Sequence, residues 1–178
     1  MSIDSMIEAT IGKEGGYVNH PADRGGPTNW GITEAVARRN GYKGDMRALP
    51  RATAVQIYRS EYAVRPGFAA VAEIFPRVGE ELFDTGVNMG PARPAIWLQE
   101  WLNALNHGAR LGPDLKEDGQ IGPATLAALR AFKAWRGAEG EARLYAALNA
   151  SQGDRYKVIA QNNPSQRAFT YGWLGRVA

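Results

Sequence analysis

The spacing of apolar residues along the chain predicts a mainly helical protein. Residues 2–14 carry an apolar stripe that includes Ile3, Ile7 and Ile11, at the three- and four-residue steps typical of an amphipathic helix. Comparable stripes, ended by glycine or proline, predict further helices at residues 33–40, 50–65, 76–90, 96–105, 125–135 and 139–162. Strand signals are confined to residues 15–33, so the predicted fold class is mainly α.

A segment rich in glycine and proline separates the first two helices. It runs from Gly15 to Gly31, and turn-forming residues recur along it. Short β-like pieces at Tyr17-Val18 and Trp30-Gly31-Ile32 are expected to pair as a small hairpin. The loop between them would form the tip of that hairpin, beside the end of the first helix.

Glu14 is the next position on the apolar stripe of the first helix. Gly15-Gly16 follows it and is expected to end the helix, because glycine readily adopts the left-handed conformation of a helix C-cap. The helix C-terminus and an apolar wall both favour the protonated form of a carboxyl group. A protonated carboxyl suits a general acid. In the alternative interpretation, Glu14 pairs with Lys13 or Arg24, or faces solvent.

A second carboxylate, Asp23, follows nine residues after Glu14 in the glycine-rich loop. Two carboxyl groups that flank a glycosidic oxygen can divide the work of hydrolysis. One protonates the leaving group, and the other activates water or attacks directly, depending on their separation. Thr28 could help to hold the water. The alternative for Asp23 is a turn residue, which is common before Arg-Gly-Gly.

This segment resembles the signature of the family 108 glycoside hydrolases, phage- and bacteria-associated N-acetylmuramidases with a lysozyme-like helical fold. The matching residues are Glu14-Gly15-Gly16-Tyr17, Pro21, Asp23, Gly25-Gly26, Thr28 and Gly31-Ile32-Thr33. The resemblance implies that Glu14 is the catalytic acid and that peptidoglycan glycan strands are the substrate. A looser similarity to phage-type lysozymes implies Asp23 as base and Thr28 as the residue that positions water. Tyr17 and Trp30 flank the expected cleft and are the predicted substrate contacts.

Two later stretches extend the resemblance. Residues 83–90 resemble the second block of the same family, which implies a helix lining the cleft and Asn88 as a further substrate contact; the alternative is a core helix with a glycine stop. The C-terminal half resembles a small helical peptidoglycan-binding domain, on residues 98–103, 118–125 and 172–173. We therefore expect a catalytic domain at 1–92 and a peptidoglycan-binding domain at 93–178, packed closely together.

Composition narrows the classes of function further. The net charge of +3 and the pI near 9.3 favour approach to anionic cell-wall polymers, but no dense run of lysine and arginine supports nucleic-acid binding. The chain has no cysteine, and its two histidines, His20 and His107, have no spaced partner. We therefore expect no metal site and no cofactor, and we expect a monomer.

The chain begins without the features of a classical signal peptide and has no apolar run long enough to span a membrane. These features predict a protein made in the cytoplasm that acts on the cell wall after release, with holin-dependent export as one route. This pattern fits a phage or prophage product, an endolysin.

Three functions remain open on these residues. The first is a muramidase that hydrolyses the β-1,4 bond between N-acetylmuramic acid and N-acetylglucosamine. The second is a lytic transglycosylase, which needs one acidic residue; the presence of Asp23 favours hydrolysis over this alternative. The third is a non-catalytic protein that binds the cell wall or assists secretion. The combination of Glu14, Asp23 and Thr28 argues against this last interpretation.

Overall fold

The computed structural model describes residues 2–13, 16–19 and 26–177, and the chain divides into two compact units, Met1–Arg65 and Pro66–Ala178. Over the described residues the first unit contains α1 (Ile3–Lys13), β1 (Thr28–Asn29), β2 (Ile32–Thr33), α2 (Glu34–Arg39) and α3 (Arg51–Tyr58). The second contains α4 (Phe68–Ile74), α5 (Pro76–Met89), α6 (Ala92–Ala104), α7 (Pro123–Asn162) and α8 (Arg167–Leu174). The prediction of a mainly helical fold with one small hairpin is confirmed.

In the first unit, α1 buries the apolar stripe that its sequence predicts. Ile7 and Ile11 are fully buried. Thr33 caps α2 through its hydroxyl, and α3 begins directly after Pro50 and continues into a π-helical turn over Arg59–Val64. Local signals therefore place these helix starts correctly, because capping and proline act within one turn.

The hairpin differs from the predicted pairing of Tyr17-Val18 with Trp30-Gly31-Ile32. Thr28 pairs with Thr33 and Asn29 with Ile32, so that Trp30-Gly31 forms the turn between two antiparallel strands. Both turn residues have positive φ, 54° and 73°, as a type I′ turn requires. The expected strand at Trp30-Gly31-Ile32 is therefore wrong at its first two residues. The partner of Val18 is Thr28, on the other side of β1.

In the second unit, α4 to α7 enclose one apolar core. Its largest fully buried side chains include Phe68, Phe75, Leu98, Leu129 and Leu148. None of the helices in the described part of the chain is long and apolar enough to cross a membrane.

Helix α7 follows the sequence prediction closely, and the loop before it is fixed by α6. The helix is interrupted at Gly137, where φ is 57° and ψ is −144°, between the two helices expected at 125–135 and 139–162. Two side-chain amides of α6 hold the loop. The Gln99 side-chain oxygen accepts from the Gly119 backbone N–H at 2.8 Å, and the Asn103 side-chain oxygen accepts from the Leu115 backbone N–H at 2.7 Å. These bonds give the Asp118-Gly119 turn a structural role.

Two helices of the second unit were not predicted. Helices α4 and α8 are seven and eight residues long, and such short segments show too few turns for a clear apolar period. The division by packing falls between Arg65 and Pro66, whereas the sequence prediction places its domain boundary between residues 92 and 93. That boundary stays a prediction.

Candidate active site

The candidate site is built on the end of α1 and on the hairpin that follows it. Glu14 and Asp23, the predicted acid and base, lie outside the described residues. Glu14 comes directly after Lys13, the last residue of α1. What the structure describes is the surrounding framework of Tyr17, Thr28 and Trp30, all within the first unit.

A pair of backbone hydrogen bonds closes the loop that contains Asp23. The Val18 N–H donates to the Thr28 carbonyl, and the Thr28 N–H donates to the Val18 carbonyl, each at 2.8 Å. This antiparallel bridge joins the two ends of residues 19–27. The segment after Glu14 and the segment after Asp23 are therefore adjacent, although the sequence separates Val18 from Thr28 by ten positions.

Thr28 is half-buried and makes one described side-chain hydrogen bond. Its hydroxyl donates to the Gly26 carbonyl at 3.2 Å. A hydroxyl that donates in this way keeps its lone pairs as acceptors. An acceptor at this position can bind a hydrogen atom of water, which is the role predicted for Thr28.

Trp30 has a backbone conformation that is rare for a bulky residue. Its φ of 54° lies in the left-handed region. Two hydrogen bonds hold it there, because the indole Nε1 donates to the Leu49 carbonyl at 2.9 Å and the Tyr58 hydroxyl donates to the Trp30 carbonyl at 3.2 Å. The indole N–H is thus used within the protein, and only the ring surface is left for a substrate. The predicted contact of Trp30 with substrate stays a prediction.

Two residues near this framework were missed in the sequence. Asn29 is 4% exposed, and its side-chain amide donates to the Met46 carbonyl at 2.7 Å, which fixes the hairpin to the turn at residues 46–48. Arg47, from that turn, is exposed and places its guanidinium carbon 5.1 Å from the centre of the Tyr17 ring. No local signal marks either residue, because both contacts join segments far apart in sequence.

Asn88, the remaining predicted contact, lies in the second unit near the end of α5. With its amide oxygen turned towards Arg176, that oxygen accepts from the Arg176 guanidinium at 2.8 and 3.1 Å. Arg176 also donates to Asp84 at 2.8 Å. Asn88 therefore has a structural partner near the end of the chain, and its contact with substrate stays a prediction.

A third carboxyl group, that of Glu81, has the most strongly shifted pKa among the described acids. Burial raises the pKa of Glu81 to about 7, and its oxygen accepts from the Thr85 hydroxyl at 3.1 Å. Such a shift often marks a catalytic acid. Glu81 is only 6% exposed, however, and its carboxyl group is hydrogen-bonded within the second unit, to Thr85 and Asn149. Among the described residues no group of three acidic, histidine or cysteine side chains could hold a metal ion.

Comparison with known proteins supports the sequence resemblance. A family model for glycosyl hydrolase 108 matches residues 7–90, and one for a predicted peptidoglycan domain matches residues 93–178. The solved structure of Brucella abortus SagA is 30% identical over 97% of this chain and 87% of that chain, with a TM-score of 0.62. No curated protein matches the chain. The matches agree with the expected family and with the expected order of the two domains.

Proposed function

The chain belongs to the glycosyl hydrolase 108 family and acts on peptidoglycan, and we propose that it hydrolyses the β-1,4 bond between N-acetylmuramic acid and N-acetylglucosamine. Glu14 is the general acid that protonates the leaving oxygen. Asp23 activates water or attacks the sugar directly, according to its distance from Glu14. Thr28 accepts a hydrogen bond from the reacting water.

The observation that carries this proposal is the bridge between Val18 and Thr28. It gives the loop containing Asp23 two fixed ends, one four positions after Glu14 and the other at Thr28. Thr28 belongs to that bridge, and Asp23 lies between its two ends in the sequence. A fixed framework of this kind is what acid, base and water need in order to act on one bond.

The burial of α1 supports the role of Glu14. Ile7 and Ile11 lie on its fully buried face, and Glu14 follows them at seven and three positions, the spacing of one helical face. An acid on that side, at the carboxyl end of a helix, is favoured in its protonated form.

The test is a Glu14→Gln variant, compared with Glu8→Gln, which removes an exposed acid of α1 that pairs with Arg51. We expect Glu14→Gln to slow the clearing of purified cell wall by at least about a hundredfold, since it removes general acid catalysis. Glu8→Gln should retain the wild-type rate, and circular dichroism should show both variants folded. A Glu14→Gln protein that clears cell wall at the normal rate would refute the assignment.

Mass spectrometry of the fragments then identifies the reaction. Hydrolysis takes up one water for each bond cleaved, whereas a product with an anhydro-sugar end, which has taken up none, would assign a lytic transglycosylase. Asp23→Asn is expected to lower the rate as well, because the amide cannot take a proton from water. A protein that binds cell wall but releases no fragments would instead be a non-catalytic wall-binding protein.

A further inference from the structure

A groove lies between α6 and α7 in the second unit and has a volume of about 560 Å³. Trp97 and Trp101 line it from α6, and Ser151 lines it from α7. The Trp101 Nε1 donates to the Ser151 hydroxyl at 2.9 Å, which joins the two walls. All the lining residues belong to the stretch matched by the peptidoglycan-domain model. The volume falls within the range of small-ligand pockets.

The groove carries two arginines without a described acidic partner. Arg93 on α6 and Arg155 on α7 both line it, and neither forms an ion pair with another described residue. Of the two acids in the lining, Asp154 pairs with Lys157, while Glu100 is exposed. The groove therefore presents two guanidinium groups to a ligand, and Glu100 is its one carboxylate without a described ion pair.

Guanidinium groups that are not used internally bind carboxylates strongly, because their paired N–H groups match the two carboxylate oxygens. In peptidoglycan the free carboxylates are on the stem peptides, whereas the glycan repeat itself is uncharged where its lactyl group carries a peptide. The unpaired Glu100 complements the amino group that many stem peptides carry on their diamino acid. Charge thus favours the peptide as the occupant.

The tryptophans of the groove also favour the peptide over the glycan as its occupant. A sugar ring stacks on the open face of an indole, but Trp97 is only 9% exposed and Trp101 is half-buried. These indoles supply an apolar wall to the groove. We infer that the groove between α6 and α7 binds the stem peptide of peptidoglycan, with Arg93 and Arg155 holding its carboxylates.

This inference rests on the substrate class in the proposed function and is independent of which bond is cleaved. A second attachment point on the same polymer would raise the local concentration of glycan at the first unit. The groove would then affect the hydrolysis of insoluble wall more than that of short soluble fragments.

The test is calorimetric titration with a synthetic stem tetrapeptide that ends in D-alanine, so no glycosidic bond is involved. Wild type is compared with Arg93→Ala, Arg155→Ala and the double variant. Arg130→Ala, an exposed arginine of α7 outside the groove, is the control with the same change in charge. We expect each groove substitution to weaken binding by about tenfold or more, and the control to bind as wild type does.

Two results would overturn the inference: no binding of the peptide by wild type, or equal binding by the double variant. Titration with an uncharged oligomer of N-acetylglucosamine, beside the tetrapeptide, separates peptide from glycan. Equal binding to both would assign the glycan as ligand and overturn the inference as well. Loss of hydrolysis in Glu14→Gln with peptide binding unchanged would support both proposals. Peptide binding by a wild type without hydrolytic activity would refute the proposed function alone.

Discussion

The buried carboxyl group of Glu81 should make the stability of the second unit depend on pH. Glu81 lies on α5, and Asn149 of α7 is within hydrogen-bonding reach of its carboxyl group. Burial is the largest cause of its raised pKa, and the charge of Asp84 adds to it, while hydrogen bonds from Thr85 and Asn149 act in the opposite direction. The folded protein therefore favours the protonated acid.

The magnitude follows from the two pKa values. The pKa of Glu81 rises from 4.5 to about 7 on folding. Each tenfold change in proton affinity corresponds to about 1.4 kcal/mol, so full ionisation of Glu81 lowers the free energy of unfolding by about 3 kcal/mol. Below about pH 4.5 Glu81 is protonated in both the folded and the unfolded protein, so its burial does not lower the free energy of unfolding through ionisation. As the pH rises towards about 7 the unfolded state loses its proton first, and the free energy of unfolding falls. Above about 7 the full cost is present.

The variant Glu81→Gln keeps the shape and hydrogen bonds of the protonated acid but cannot ionise. We expect its free energy of unfolding to exceed that of wild type by up to about 3 kcal/mol above about pH 8, and to match wild type near pH 4.5. Urea unfolding followed by tryptophan fluorescence measures this, since four of the five tryptophans belong to the second unit.

The control is Glu73→Gln, which changes an exposed glutamate of α4. It should follow the wild-type curve at every pH. A difference between Glu81→Gln and wild type that stays constant from about pH 4.5 to about 8 would show that ionisation of Glu81 does not lower the free energy of unfolding by about 3 kcal/mol.

Two further substitutions test the packing of the second unit. Gln152 is fully buried, and neither polar atom of its side-chain amide has a hydrogen-bond partner among the described residues. Gln152→Met should therefore raise the free energy of unfolding by about 1–3 kcal/mol. A loss of stability in urea unfolding would contradict this. Gly79→Ala should destabilise the unit, because the added Cβ would lie 2.5 Å from the Cβ of Ala72. Gly153→Ala should leave the stability unchanged, because the nearest atom to its added Cβ would be 3.7 Å away. Equal melting temperatures for both variants would refute the steric argument.

The candidate site could be predicted only in part from the sequence. The signature around Glu14 identified the family and the hairpin, because it is a compact run of turn residues and carboxylates. The pairing of Val18 with Thr28 and the stacking of Arg47 on Tyr17 were not predictable. Strand register and side-chain contacts depend on residues far along the chain, and no local pattern encodes them.

For the chain as a whole, the sequence alone determined what acts within one or two helical turns. The cap at Thr33, the start of α5 at Pro76 and the end of α7 at Asn163 follow from proline, threonine and asparagine chemistry at those positions. The tertiary structure alone decided that α4 is helical and that Glu81 is buried. A short segment becomes a helix, and a carboxyl group keeps its proton, only when distant helices pack against it and exclude water.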